Sequence, residues 1–254
     1  MNETMHEALT APDQSEVCSF LNDAKTFGAA GSIRRIDTHG AVVFLVGDDA
    51  YKVKRAVRFP FMDFSTLEKR RIACEAEISV NKPSAAEIYL EAVPIVRTAR
   101  GLSFGGAGEI IEWAVHMRRF EEEATLDRIA ERQELSTQVI IRLVGAILRS
   151  HRRAPRRNGR AAIAALERYL GQNEAAFAVE PGLFDPARAR DLTRDARAAL
   201  SETKALLIAR GEMGYVRRCH GDLHLRNIVL MHGEPTLFDA IEFDDEIATG
   251  RCSL

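Results

Sequence analysis

The stretch His220-Gly221-Asp222-Leu223-His224-Leu225-Arg226-Asn227 limits what this chain can fold into more than any other. Asp222 and Asn227 are five residues apart, which suits a tight loop better than one face of a helix. Three short runs follow: Ile228-Val229-Leu230-Met231, His232-Gly233-Glu234-Pro235 and Thr236-Leu237-Phe238-Asp239. They read as strand, turn and strand, with an acid at the end of the second strand. One Asp can take a hydroxyl proton, the Asn beside it can hold a metal through its carbonyl oxygen, and a hairpin presents a second Asp. Such a set suits phosphoryl transfer from a metal-bound nucleotide. His220, Asp222 and His224 also form a compact H-x-D-x-H trio that a metal-dependent hydrolase could use, but that reading leaves Asn227 and Asp239 without a role.

These residues resemble the aminoglycoside phosphotransferase family of small-molecule kinases, whose fold is protein-kinase-like. More narrowly, the chain is similar to the phosphotransferase-like domain of bacterial proteins that often carry a P-loop ATPase domain behind it. Asp37-Thr38-His39, Val43-Phe44-Leu45, Ala50-Tyr51-Lys52-Val53-Lys54 and Phe61-Met62-Asp63-Phe64-Ser65 extend the resemblance, which runs from about residue 15 to residue 249. It implies an α+β, two-lobed chain. Residues 1–14 are expected to be a flexible tail, and 15–120 an N-lobe with a small antiparallel nucleotide-binding sheet and a helix. Residues 121–254 are expected to be a mainly helical C-lobe with catalytic loop 220–227 and metal-binding hairpin 228–239. The last five residues fit no pattern of the family, so the C-lobe is expected to be truncated and to leave apolar helix faces uncovered. No G-x-x-x-x-G-K-[ST] occurs, so no P-loop domain is expected within these residues.

The resemblance implies ATP and Mg²⁺ as cofactors and a hydroxyl of a small molecule as acceptor. Asp222 is then the base or hydroxyl orienter, and Asn227 and Asp239 are metal ligands. Glu242 competes with Asp239, because Ile241-Glu242-Phe243-Asp244-Asp245 resembles the family's acidic segment; hairpin length favours Asp239. A strand lysine should reach the phosphates. Lys54 is preferred to Lys52, since Arg55-Ala56-Val57 follows it as in related kinases. Of two helix glutamates that could pair with this lysine, Glu75 is preferred to Glu77. Thr38, His39 and Gly40 form a turn expected over the phosphates, where Gly40 permits close approach and Thr38 can donate a hydrogen bond. His220 is expected to brace the loop.

Local signals place the elements. Ser15 to Phe27 reads as a helix ended by Gly28, Ile33 to Val46 as two strands, and Ala50 to Val57 as another. Ser65-Thr66-Leu67-Glu68 is a capping box opening a helix to about Asn81. Ile88–Val96 and Glu109–Phe120 read as strands split by a turn from Gly101 to Gly108. Ser136 caps an apolar stripe of Val139, Ile140, Leu143, Val144, Ile147 and Leu148, and helices are expected at 160–178 and 186–210.

Net charge is −2, which gives no pull toward nucleic acid or membrane. Six arginines between Arg149 and Arg160 read as a solvated helix end. Cys18, Cys74, Cys219 and Cys252 are scattered, which points to reduced thiols and a cytoplasmic protein. No apolar run approaches the roughly 18–20 residues that span a bilayer. The acceptor itself is not legible, and a non-catalytic nucleotide-binding pseudokinase or fragment is the alternative to an active kinase.

Overall fold

The computed structural model describes residues 13–28, 32–59 and 61–251; the expected tail up to residue 12 and the final three residues lie outside them. The described residues fall into two compact units, one of those up to 147 together with 222–244, the other of 148–221 together with those from 245 onward.

The first unit opens with α1 (Ser15–Leu21) and a 3-10 turn at Ala24–Phe27. The single helix expected over Ser15–Phe27 breaks because the Asp23 carboxylate accepts the Lys25 N–H, capping a new turn. Gly28, at φ +60°, ends it. The strands are β1 (Arg34–Asp37), β2 (Ala41–Val46), β3 (Asp49–Lys54), β4 (Arg58–Phe59) and β5 (Met62–Asp63). After helix α2 (Leu67–Asn81) come β6 (Tyr89–Thr98), β7 (Gly101–Phe104) and β8 (Glu109–Arg118). Six of the strands form an antiparallel sheet in the order β1-β2-β3-β8-β6-β7. The turn expected at Gly101–Gly108 thus contributes an edge strand, with Ile95 opposite Phe104. Together with the six helices this makes the mixed α+β fold expected.

One face of the sheet is closed by α1, where Val17 and Leu21 join Val42, Phe44, Val53, Ile95 and Ala114 in a core. Gln14 ties the start of α1 to the sheet. Its amide nitrogen donates to the Lys54 carbonyl and to Glu112 Oε2, and its oxygen accepts the Ala56 N–H. On the other face lies α2, whose buried residues Arg70, Ala73, Cys74, Glu77 and Asn81 recur at helical spacing. Arg70 and Glu112 form a buried ion pair at 2.8 Å. The α2 cap is Thr66, which accepts the Lys69 N–H; Ser65 instead donates to Asp63. The capping signal was therefore one residue early.

The unit continues through α3 (Leu126–Glu131) and the start of α4 (Thr137–Arg153). Ser136 accepts the Val139 N–H, as expected of a cap. The apolar stripe of α4 divides. Val139, Leu143 and Ile147 pack with Leu126, Ile228 and Leu237, whereas Ile140 and Val144 are exposed.

The second unit holds the end of α4, α5 (Gly159–Val179), α6 (Pro186–Glu212) and a two-stranded ribbon of β9 (Val216–Arg218) and β12 (Thr249–Arg251). Helices α5 and α6 meet where Gly159 and Gly211 oppose each other. A Cβ on Gly211 would lie 2.7 Å from the Gly159 backbone, so a side chain there would force the helices apart. No helix of the described residues is long and apolar enough to cross a membrane.

Candidate functional site

The site lies wholly within the first unit. Asp222 leads a loop that closes through a 3-10 turn at Leu225–Asn227, and the hairpin β10 (Ile228–Met231) and β11 (Glu234–Leu237) follows directly. Its two-residue connection, His232 and Gly233, has both φ angles positive, the turn that suits the right-handed twist of paired strands. Glu234 and Pro235, expected in the turn, pair with Met231 and Leu230 instead, so β11 ends at Leu237 and Asp239 follows two residues beyond it rather than on the strand.

Asn227 is buried and sets the loop. Its side-chain nitrogen donates to the Asp222 carbonyl at 2.9 Å and faces Asp222 Oδ2 at 3.4 Å. An amide that turns its nitrogen to Asp222 presents its oxygen, the atom a metal takes, on the opposite side. Asp222 itself is about half exposed, at 56%, with His224 Nε2 3.4 Å from its carboxylate.

Lys52 and Lys54 sit two apart on β3, so both point to the α2 side of the sheet. Between them lies Glu77, fully buried: Lys52 Nζ is 2.8 Å from Oε1 and Lys54 Nζ 2.5 Å from Oε2. Lys52 also reaches Asp239 at 2.8 Å, and Lys54 pairs with Glu242. Burial alone would lower the pKa of Lys52, but Asp239 and Glu77 carry it well above the ordinary lysine value. Lys54 is likewise raised, by Glu77 and Glu242 against burial. Burial pushes Glu77 up, yet the two ammoniums hold it below its ordinary value. All three groups therefore stay charged at neutral pH.

Glu75, the preferred lysine partner in the sequence, is not part of this cluster. It faces outward and is held by Arg71 one turn earlier on α2, 2.6 Å away. Positions 75 and 77 differ by about 200° around a helix, so only one of them can face β3. Thr38 holds its turn together. Its hydroxyl donates to the Ala41 carbonyl and accepts the Ala41 N–H, so it braces its own turn. At Gly40 a Cβ would stand 2.9 Å from the Met62 methyl, so this turn does pack closely.

A cavity of about 420 Å³ joins these residues. Its wall includes Thr38, His39 and Gly40 from the β1–β2 turn, Lys52 and Lys54, and Asp222, Asp239 and Glu242. Ile36, Leu45, Ala50, Met117, Phe120 and Phe238 supply an apolar part. The strand register sets the gradient. Ala50 is opposite Leu45 and Met117, and the lysines follow two and four residues further along β3, about 7 and 13 Å away. Asn227 and Glu77 stand behind this wall. Asp239 takes φ +61°, a left-handed conformation that few residues other than glycine adopt and that clusters at functional sites. Tyr89 had no sequence signal, yet its buried hydroxyl accepts the Asp239 N–H at 3.1 Å.

His220 is buried and belongs to the second unit. Among the described residues no three His, Cys, Asp or Glu side chains gather as metal ligands would.

Uncharacterized proteins of Mycobacterium bovis and Mycobacterium tuberculosis are 29% identical to the chain over 218 residues, covering 83% of it and 42% of each relative. The chain thus spans about two fifths of the length of the curated relatives it matches. The pattern of the phosphotransferase enzyme family matches residues 42–239, from the strand before the lysines to Asp239 at the end of the hairpin. That match takes in the lysine strand, the buried glutamate, the loop aspartate and the hairpin acid, and by it the chain belongs to the phosphotransferase enzyme family.

Proposed function

We propose that this chain transfers the γ-phosphate of Mg-ATP to a hydroxyl group of a small molecule. The observation that carries the reading is Lys52, held at 2.8 Å from both Glu77 and Asp239 on the wall of a cavity that also holds Asp222. The residues suit such a ligand. The apolar part of the cavity can take a flat base, and the charged part can take phosphates. There two ammoniums pair with the carboxylates of Glu77, Asp239 and Glu242, and Asp222 lies on the same wall. That excess of negative charge would repel a bare polyphosphate and favours one accompanied by divalent cations.

Each residue then has a task. Lys52 binds phosphate oxygens and is kept charged and aimed by Glu77. Asp239 and the Asn227 oxygen would hold Mg²⁺. Bound there, the ion would neutralise charge on the phosphates. Asp222 orients the acceptor hydroxyl and takes its proton; its half-exposed place at the cavity wall leaves room for an acceptor. Lys54 contributes differently. It is 2% exposed, lies 5.3 Å from the Phe64 ring centre and is occupied by Glu77 and Glu242. We therefore assign the phosphate contact to Lys52 and a structural pairing to Lys54, reversing the sequence preference.

Titration calorimetry with ATP, and with adenosine as control, tests this assignment. Lys52→Ala is expected to weaken ATP binding roughly 10- to 100-fold, the range for a hydrogen bond to a charged group, and to leave adenosine affinity unchanged. Lys54→Met is expected to lower the unfolding temperature more than it lowers ATP affinity. Equal loss of ATP and adenosine in Lys52→Ala, or no ATP binding by the wild type, would refute the reading.

A further inference from the structure

The segment after the hairpin is held by side chains from elsewhere in the first unit. Asp239 is in the left-handed region, and its N–H is taken by Tyr89 Oη at 3.1 Å. The next residue, Ala240, is gripped by one side chain. Asn81 Oδ1 accepts the Ala240 N–H at 2.8 Å, and Asn81 Nδ2 faces the Ala240 carbonyl at 3.4 Å. The same Nδ2 donates to the Glu77 carbonyl at 3.0 Å, one helical turn back on α2. Asn81 and Tyr89 are each 1% exposed. Two residues past Ala240, Glu242 is paired with Lys54, which pairs in turn with Glu77. Helix α2 therefore holds the 239–242 segment twice, through Glu77 by way of the lysines and through Asn81 directly on the backbone.

We infer that Asn81 is a positioning residue for the metal-binding acid. By fixing both backbone groups of Ala240, with Tyr89 fixing the N–H before it, Asn81 sets the left-handed turn that aims the Asp239 carboxylate. A buried side-chain amide that satisfies a peptide unit on both sides leaves that unit little freedom. Nothing in the motif spacing marks either residue for this task. The inference rests on the proposed function, since it concerns the ligand that Asp239 offers to Mg²⁺.

The test is a Mg²⁺ titration at fixed ATP, read as the gain in unfolding temperature of the whole chain. Asn81→Leu keeps the side chain's size and removes the amide. Its unfolding temperature without ligand should fall, because the Ala240 groups lose their partner. The reading that separates positioning from mere stability is the Mg²⁺ concentration giving half the gain, which should rise about tenfold. Whatever gain ATP gives without metal should be the same in variant and wild type. Tyr89→Phe is a milder change at the same turn and should move the Mg²⁺ midpoint in the same direction; it decides the matter if Asn81→Leu does not fold. A lower starting temperature with a wild-type Mg²⁺ midpoint in the deciding variant would overturn the inference and leave the proposed function standing. No Mg²⁺-dependent gain in the wild type would overturn both.

Discussion

Replacing Asp222 with asparagine is expected to cut phosphoryl transfer roughly 10²- to 10⁴-fold, the range for loss of a positioned proton acceptor. Binding of Mg-ATP and the unfolding temperature should stay near wild type. The contrast follows from where Asp222 sits. Its side chain is 56% exposed and makes only 3.4 Å approaches to His224 and to Asn227 Nδ2, so its removal strands no buried charge. The stronger bond in the loop runs from Asn227 to the Asp222 backbone carbonyl and survives the substitution. Phosphoryl transfer depends on positioning and charge stabilisation, so the carboxylate needs no unusual acidity to act. Release of ADP measured alongside calorimetric ATP affinity separates the two quantities. Undiminished turnover in Asp222→Asn would remove this residue from the chemistry.

The largest expected effect on stability belongs to Glu77. Glu77→Leu leaves Lys52 and Lys54 buried near each other without the carboxylate that separates them, and breaking a buried ion pair from one side costs about 3–5 kcal/mol. That is a large share of a stability of about 5–15 kcal/mol. Glu75→Ala, two residues earlier, should change stability by less than about 0.5 kcal/mol, since its pair with Arg71 is on the surface. Urea unfolding of the two variants makes the comparison, and a costlier Glu75→Ala would place the wrong glutamate in the cluster.

The pH dependence has a definite sign. The pKa of Glu77 is lowered on folding, so the stability it adds is fully present above its ordinary value of 4.5 and is lost as pH falls through the lower folded value. The lysine values are raised from 10.5, so their share is present below that value and is lost as pH rises through the folded values. The cluster's contribution should therefore be level between about pH 5 and 10. Glu77→Leu should remove the acid limb that Glu77 adds.

What could be read from the sequence was mostly what is local. The loop aspartate and asparagine, the hairpin and the acid after it are marked by spacing within about twenty residues, although the turn signal runs two residues too long, because Pro235 suggests a turn and instead sits in β11. Long helices α5 and α6 announce themselves through alanine, arginine and leucine, whereas their caps, Asn158 and Asp185, emerge only from the structure. The choice between paired candidates was not local. Lys52 and Lys54 share a face of β3, and only the approach of Asp239 and Glu242 from more than 180 residues away distinguishes them. The choice of Glu77 had a signal that went unused. Arg70, Ala73, Cys74, Glu77 and Asn81 form one helical stripe, while Arg71 and Glu75 form an i,i+4 pair on another. Because that buried stripe carries Arg, Glu and Asn, a search for apolar periodicity passes over it. The same polar character hid Asn81 and Gln14, whose partners are all backbone or charged groups brought near by the fold.

The proposed chemistry needs a working magnesium-nucleotide site around Asp239 in the first unit. Thermal unfolding of the wild type and of Asp239→Ala, with and without Mg-ATP, tests it most directly. At about 100 times the dissociation constant the ligand should stabilise the wild type by about 2.7 kcal/mol, and the magnesium-dependent part of that gain should vanish in Asp239→Ala. A cooperative wild-type transition that Mg-ATP leaves unmoved, or a full gain that persists in Asp239→Ala, would contradict it.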